Sequence, residues 1–211
     1  MGLGSNQVTR QAVMVESEAR AELADAIGQA PAVPIKRIVS GARLPALILL
    51  FTLLTALGAK AAVPIGPVPM TLQTLFVLLA GVVLGPVAGA MSQLLYLGLG
   101  VVGAPVFTFG GTGLAWVFGP TGGFLLAFPL AAAVAGWFAG KDRALLRTAT
   151  GLVVASLLIF ALGAGWLGAI TDWSSERIWM TAVQPFLVGA VLKASIALVL
   201  TRLFVARGLG R

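Results

Sequence analysis

From Ala61 to Gly140 the chain runs 80 residues without one Asp, Glu, Lys or Arg, and nothing else constrains its fold as tightly. A stretch of that kind belongs in a medium where charge is costly and apolar surface is not. As a single helix it would extend about 120 Å at roughly 1.5 Å per residue, several times the roughly 30 Å of bilayer hydrocarbon. It must therefore fold back repeatedly. Composition agrees with a membrane protein: 59% of residues are hydrophobic, 10% are charged, and the mean hydropathy is +1.01.

Gly and Pro mark the reversals, because Gly permits and Pro enforces non-helical turns. They cluster in VPIGPVP (63–69), LGP (84–86), VVGAPVFTFGGTG (101–113) and GPTGG (119–123). The helix-length apolar runs between them predict six spans, at about 43–60, 71–84, 87–102, 118–139, 147–170 and 179–204. The expected fold is an all-α integral membrane protein of six transmembrane helices over residues 41–211, with a Gly/Pro-rich outer face.

Flanking charge orients the spans. With the N-terminus inside, Lys36, Arg37, Arg43, Lys141, Arg143, Arg147, Arg202, Arg207 and Arg211 are cytoplasmic, and only Lys60 and Arg177 flank outer ends. Both termini are then cytoplasmic. The formal net charge of +7 is mostly this bias and points to no nucleic-acid partner. Residues 1–40 hold four of the seven acids (Glu16, Glu18, Glu22 and Asp25) and no apolar run of signal-peptide length. They read as a hydrophilic cytoplasmic extension, either a dispensable tail or a docking segment.

Enzymatic chemistry finds few of its usual groups. The chain has no His and no Cys, no paired carboxylates inside a span and no Ser/His/Asp set, so metal-dependent and hydrolytic mechanisms lack their residues. GGTGLAW and GPTGG are Gly-rich, but neither continues into the Lys-Ser/Thr of a phosphate-binding loop. No metal or cofactor is expected.

Three polar constellations remain. Thr71, Gln73 and Thr74 open the second span in PMTLQTL. Gly89, Gln93, Tyr96 and Gly100 share one face of the third at steps of four, three and four. A glutamine is costly in hydrocarbon unless hydrogen-bonded, so each set either bonds a neighbouring helix or lines a ligand cavity. The third is Lys193 in GAVLKASIAL, with no acid between it and Arg177 on one side or the C-terminus on the other. About nine residues separate it from polar positions on either side, roughly 13 Å at helical rise, which exceeds the reach of a snorkelling lysine. Phe186, Gly189, Ala190 and Ala197 share its face and leave room in front of the ammonium. An anion is the expected occupant. A rival reading makes Lys193 an imine-forming nucleophile of an intramembrane enzyme, and another needs no ligand and makes the chain a scaffold.

In this order, IGPVPMTLQTLFVLLAGVVLGPVAGAMSQLLYLGLGVVGAPVFTFGGTG, GPTGGFLLAFPLAA and PFLVGAVLK closely resemble the BioY family, the biotin-specific substrate-binding subunits of energy-coupling-factor transporters. The likeness covers roughly residues 45–205. It implies high-affinity biotin uptake across the cytoplasmic membrane by a non-enzymatic six-helix subunit working with a membrane coupling subunit and cytoplasmic ATPases, although some members of the family are encoded without them. It also implies a ligand site drawn from Lys193, Gln73, Gln93, Tyr96, Phe107, Thr112 and Thr121. One departure stands out. Where the family carries PGDxxK this chain reads VGAVLK, so Lys193 matches and Ala190 replaces the Asp. Gln73, Gln93, Thr112 and Ser195 are the candidates to make up the lost contact. Thr52, Ala56 and Lys60, flanked by Thr55 and Ala59, give the first span a small-residue stripe. In the resembled family such a stripe packs on the coupling subunit; the other use of it is packing inside the bundle.

Overall fold

The structure, a computed structural model, describes residues 35–206, with side chains from residue 42 onward. The compact unit considered below begins at Arg43. The extension expected over 1–40 lies outside the described residues up to residue 34.

The helices are α1 (Ile35–Lys60), α2 (Gln73–Leu84), α3 (Pro86–Val101), α4 (Gly113–Val117), α5 (Gly122–Ala139), α6 (Leu145–Ile170), α7 (Ser175–Ile178) and α8 (Leu187–Ala206). Between α1 and α2 the chain makes a minimal antiparallel ladder, β1 (Ala62–Val63) on β2 (Met70–Thr71), with Ala62 opposite Thr71. That ladder is an addition to the expected all-helical fold. It satisfies backbone groups that the glycines and prolines of 63–69 keep out of a helix.

Among the described residues, four helical segments are long and apolar enough to cross a membrane: Ala42–Lys60, Gly122–Ala139, Leu145–Ile170 and Ser175–Ala206. The second and third expected spans are the shorter helices Gln73–Leu84 and Pro86–Val101. Gly85, at φ +86°, breaks the chain between them, and Pro86 starts the next helix where its missing N–H costs nothing. The last segment is also less regular than one continuous helix. A π-turn at Trp179–Val183 and a 3-10 turn at Gln184–Phe186 precede α8, because Pro185 has no N–H to continue the α ladder.

Glycine decides how α2, α3 and α5 meet. A Cβ on Gly81 would overlap the Ala132 carbonyl, one on Gly89 would meet the Gly81 backbone, and one on Gly136 would meet the backbone of Gly81 and Pro86. Three helices thus touch backbone to backbone, the packing that small residues allow in a membrane. Ala127, Ala131, Ala132, Ala135 and Ala139 continue the fully buried face of α5, which packs on α2, α3 and α6. At one end of this core Arg143, itself at φ +46°, donates to the carbonyls of Val82 (3.2 Å) and Val83 (3.0 Å). It neutralises the carbonyl end of α2, where a cation is favoured. Outward lie Leu53, Leu57, Leu94, Leu130, Leu157, Val191 and Val199, all exposed. An apolar belt of this kind is stable only against lipid.

Candidate functional site

A cavity with about 740 Å³ of space free of protein atoms, counted to its mouth, opens among β2, α2, α5, α6 and α8. Helical spacing supplies its walls: Gln73, Thr74 and Leu78 from α2, Phe124, Leu125 and Phe128 from α5, Ser156, Ile159 and Phe160 from α6, then Phe186 from the turn before α8 and Ala190 and Lys193 from α8 itself. Each set recurs at steps of one, three or four and so shares a face. Val68, Pro69 and Thr71 from the hairpin, with Thr108 and Thr121 from the connections, complete it. Because α2, α5 and α8 contribute residues near their first turns, the cavity sits toward the end of the bundle that carries the Gly/Pro-rich connections.

Its polar groups fall into two kinds. At Gln73 the side-chain carbonyl accepts from Thr71 Oγ1 at 3.1 Å and Thr108 Oγ1 at 3.5 Å, while its amide donates to the Tyr96 hydroxyl. The Tyr96 hydroxyl in turn donates to the Val106 carbonyl at 3.4 Å. Gln73 is therefore held from behind with its oxygen turned to cavity-lining hydroxyls. Lys193 is of the other kind: half-buried, it makes no hydrogen bond or ion pair with any described residue. The carboxylates among the described residues are Asp142, Asp172 and Glu176, and none lines the cavity. Asp142 lies 3.7 Å from Arg147 instead. A cation facing an apolar, aromatic-walled space beside a hydroxyl–amide corner suits a small anion with an apolar body and a hydrogen-bonding edge. Among the described residues no carboxylate lines the cavity with Lys193, and the chain has no imidazole, to act as an acid or base for imine chemistry.

Among the residues expected at the site, Lys193, Gln73 and Thr121 line the cavity, joined by Thr71, Thr74, Phe186 and Ala190 from the same sequence clusters. Gln93, Tyr96 and Phe107 do not. They are fully buried behind it. Gln93 donates to Ser92 Oγ at 2.9 Å and accepts from Thr55 Oγ1 at 3.3 Å. The Phe107 ring lies over Gly100 and meets Tyr96 edge-on at 5.5 Å. The shared face of Gly89, Gln93, Tyr96 and Gly100 is thus turned to α1, α2 and the 102–111 connection, and of its two readings contact between elements is the one seen. Thr112 and Ser195 are exposed and outside the cavity.

The stripe on α1 also has two readings. Thr52, Thr55 and Ala59 are fully buried within the chain itself, and Ala56 is half-buried. Thr52 Oγ1 bonds the Ser92 carbonyl at 2.8 Å. Small residues here let α1 approach α3, so for Thr52, Thr55 and Ala59 packing inside the bundle is the use seen, while Ala56 keeps part of its surface open.

Sequence reasoning missed Thr108, Phe124, Phe128, Ser156, Ile159 and Phe160. Phe124 and Phe128, one turn apart and just after Thr121, carried a usable signal in GPTGGFLLAF. Phe160 carried only a faint one, Ser156 one turn before it in an otherwise apolar stretch of its helix.

Sequence and structure comparisons identify relatives of this chain. The BioY family profile matches residues 30–209. The probable biotin transporter BioY of Pyrococcus horikoshii is 42% identical over 154 residues, which span 73% of this chain and 91% of that protein. The biotin transporter BioY of Thermotoga maritima is 38% identical over 162 residues, 75% of this chain and 95% of that one. Among solved structures, the S-component for biotin from an ECF-type ABC transporter superposes with a TM-score of 0.68 at 27% identity, covering 77% of this chain and 90% of that chain.

Proposed function

The chain belongs to the BioY family, and on that premise we propose that it takes up biotin across the cytoplasmic membrane as the substrate-binding subunit of an energy-coupling-factor transporter. The observation that carries the reading is Lys193, a cation without a partner among the described residues, facing the cavity. Biotin offers one carboxylate on an apolar chain, a fused thioether ring, and a ureido edge with two N–H donors and a carbonyl acceptor. Its carboxylate would neutralise the ammonium, a charge-assisted pairing stronger than a neutral hydrogen bond. Phe124, Phe128, Phe160 and Phe186 supply apolar walls for the ring, and Thr71, Gln73, Thr108 and Thr121 supply acceptors and donors for the ureido edge. Tyr96 occupies the Gln73 amide, which turns the Gln73 oxygen to the Thr71 and Thr108 hydroxyls that line the cavity.

In this reading Ala190, which lines the cavity beside Lys193, leaves the ligand to provide the negative charge. The short helices α2 and α3 cross with the other four segments, giving six spans with both termini and the 1–40 extension on the cytoplasmic side. The charge bias of the flanking residues supports that orientation. Biotin is cargo and no cofactor takes part. Energy comes from a coupling subunit and ATPases, since the chain carries no phosphate-binding loop of its own.

The test is direct. Protein purified from cells grown with biotin should carry it in close to stoichiometric amount, and stripped protein should regain it on titration. Well-folded protein that neither retains nor binds biotin would exclude the proposal.

A further inference from the structure

The connection between α3 and α4 has almost no regular structure, yet it delivers Thr108 to the cavity. Gly103 sits at φ +104°, and only a short turn over Thr108–Gly110 interrupts an irregular path. A segment of this kind has backbone groups that need partners and no ladder to supply them. Here three successive carbonyls are taken by side chains from two different helices. Lys60, the last residue of α1, donates through Nζ to Pro105 and, at 3.5 Å, to Phe107; the Tyr96 hydroxyl takes Val106, between them, at 3.4 Å. Directly after this clamp comes Thr108, buried, with its hydroxyl 3.5 Å from Gln73 Oε1. An exposed lysine at a helix end would ordinarily be left to water, so its two backbone acceptors on one strap set it apart.

We propose that Lys60 is a positioning residue of the ligand site: by clamping the 105–107 strap it holds Thr108 against Gln73 and keeps the hydroxyl–amide corner of the cavity assembled. The proposal rests on the reading of the cavity as the biotin site, but its first test does not.

In ligand-free protein, Lys60→Met should raise hydrogen exchange across residues 103–111, and Lys60→Arg, which keeps a cation with several N–H donors at the end of α1, should leave it at the wild-type level. Biotin affinity should fall about five- to tenfold in Lys60→Met, the scale of losing one charged hydrogen bond at an exposed site, and be retained in Lys60→Arg. The loss should also be shared with Thr108→Val: once Thr108 has lost its hydroxyl, Lys60→Met should add little further. Exchange unchanged by Lys60→Met would overturn the clamp. Wild-type affinity in Lys60→Met, or a loss that adds in full to that of Thr108→Val, would overturn its link to the site. Wild-type protein that binds no biotin would instead count against the proposed function, with the exchange measurement still deciding the clamp.

Discussion

Replacing Lys193 by Met removes the ammonium while keeping the length and apolar stem of the side chain. Nothing in the described protein loses a bond, because Lys193 makes none, and a poorly solvated charge disappears, so folding should be unharmed. Binding should not be. Two unit charges about 4 Å apart attract by about 4 kcal/mol at an effective dielectric of about 20, and leaving a desolvated carboxylate unpaired costs about 2–5 kcal/mol in comparable interfaces. Lys193 is half-buried rather than sealed, which favours the lower part of that range: about 2–3 kcal/mol, or roughly a 30- to 150-fold weaker Kd. Calorimetric titration of purified Lys193→Met with free biotin reads this directly. Biotin methyl ester, which has no charge to neutralise, should bind the two proteins with similar affinity. Equal affinity of folded wild type and Lys193→Met for free biotin would refute the assignment and leave the lysine a packing residue.

Gly81→Ala should destabilise the protein by about 1–3 kcal/mol, the usual cost of forcing a methyl into a filled core, because its Cβ would overlap the Ala132 carbonyl. A lower thermal midpoint in detergent checks this, with Gly98→Ala, where a Cβ meets nothing within 4 Å, as the control. Reporters fused after Gly140 or at Arg211 should be cytoplasmic and one inserted at Asp172 external; an external Gly140 would sink the span assignment. Deleting a co-resident coupling ATPase should abolish concentrative uptake of labelled biotin while leaving binding intact, and unchanged accumulation in a host proven to lack every such ATPase would mean that the chain works alone.

The uncharged run from Ala61 to Gly140 by itself dictated a membrane protein that reverses several times, and Gly85, Pro86 and the 63–69 cluster marked real breaks. Lys193 and Gln73 were also legible, because a charge or an amide inside an apolar run has few tolerable places and a cavity is one of them. What the sequence left open was which neighbour each polar or small group meets. Gln73, at the start of α2, lines the cavity, whereas Gln93, equally polar but midway along α3, bonds Thr55. The stripe through Thr52 and Thr55 turns inward, and Phe160 turns to the cavity although lipid would have suited it as well. In a water-soluble helix the apolar stripe would have announced the buried side. In a bilayer, lipid and protein core are both apolar, so hydrophobic periodicity fades and the facing of each helix is decided by backbone approach at glycines such as Gly81, Gly89 and Gly136. Those contacts join residues far apart in the chain and exist only once the helices have packed.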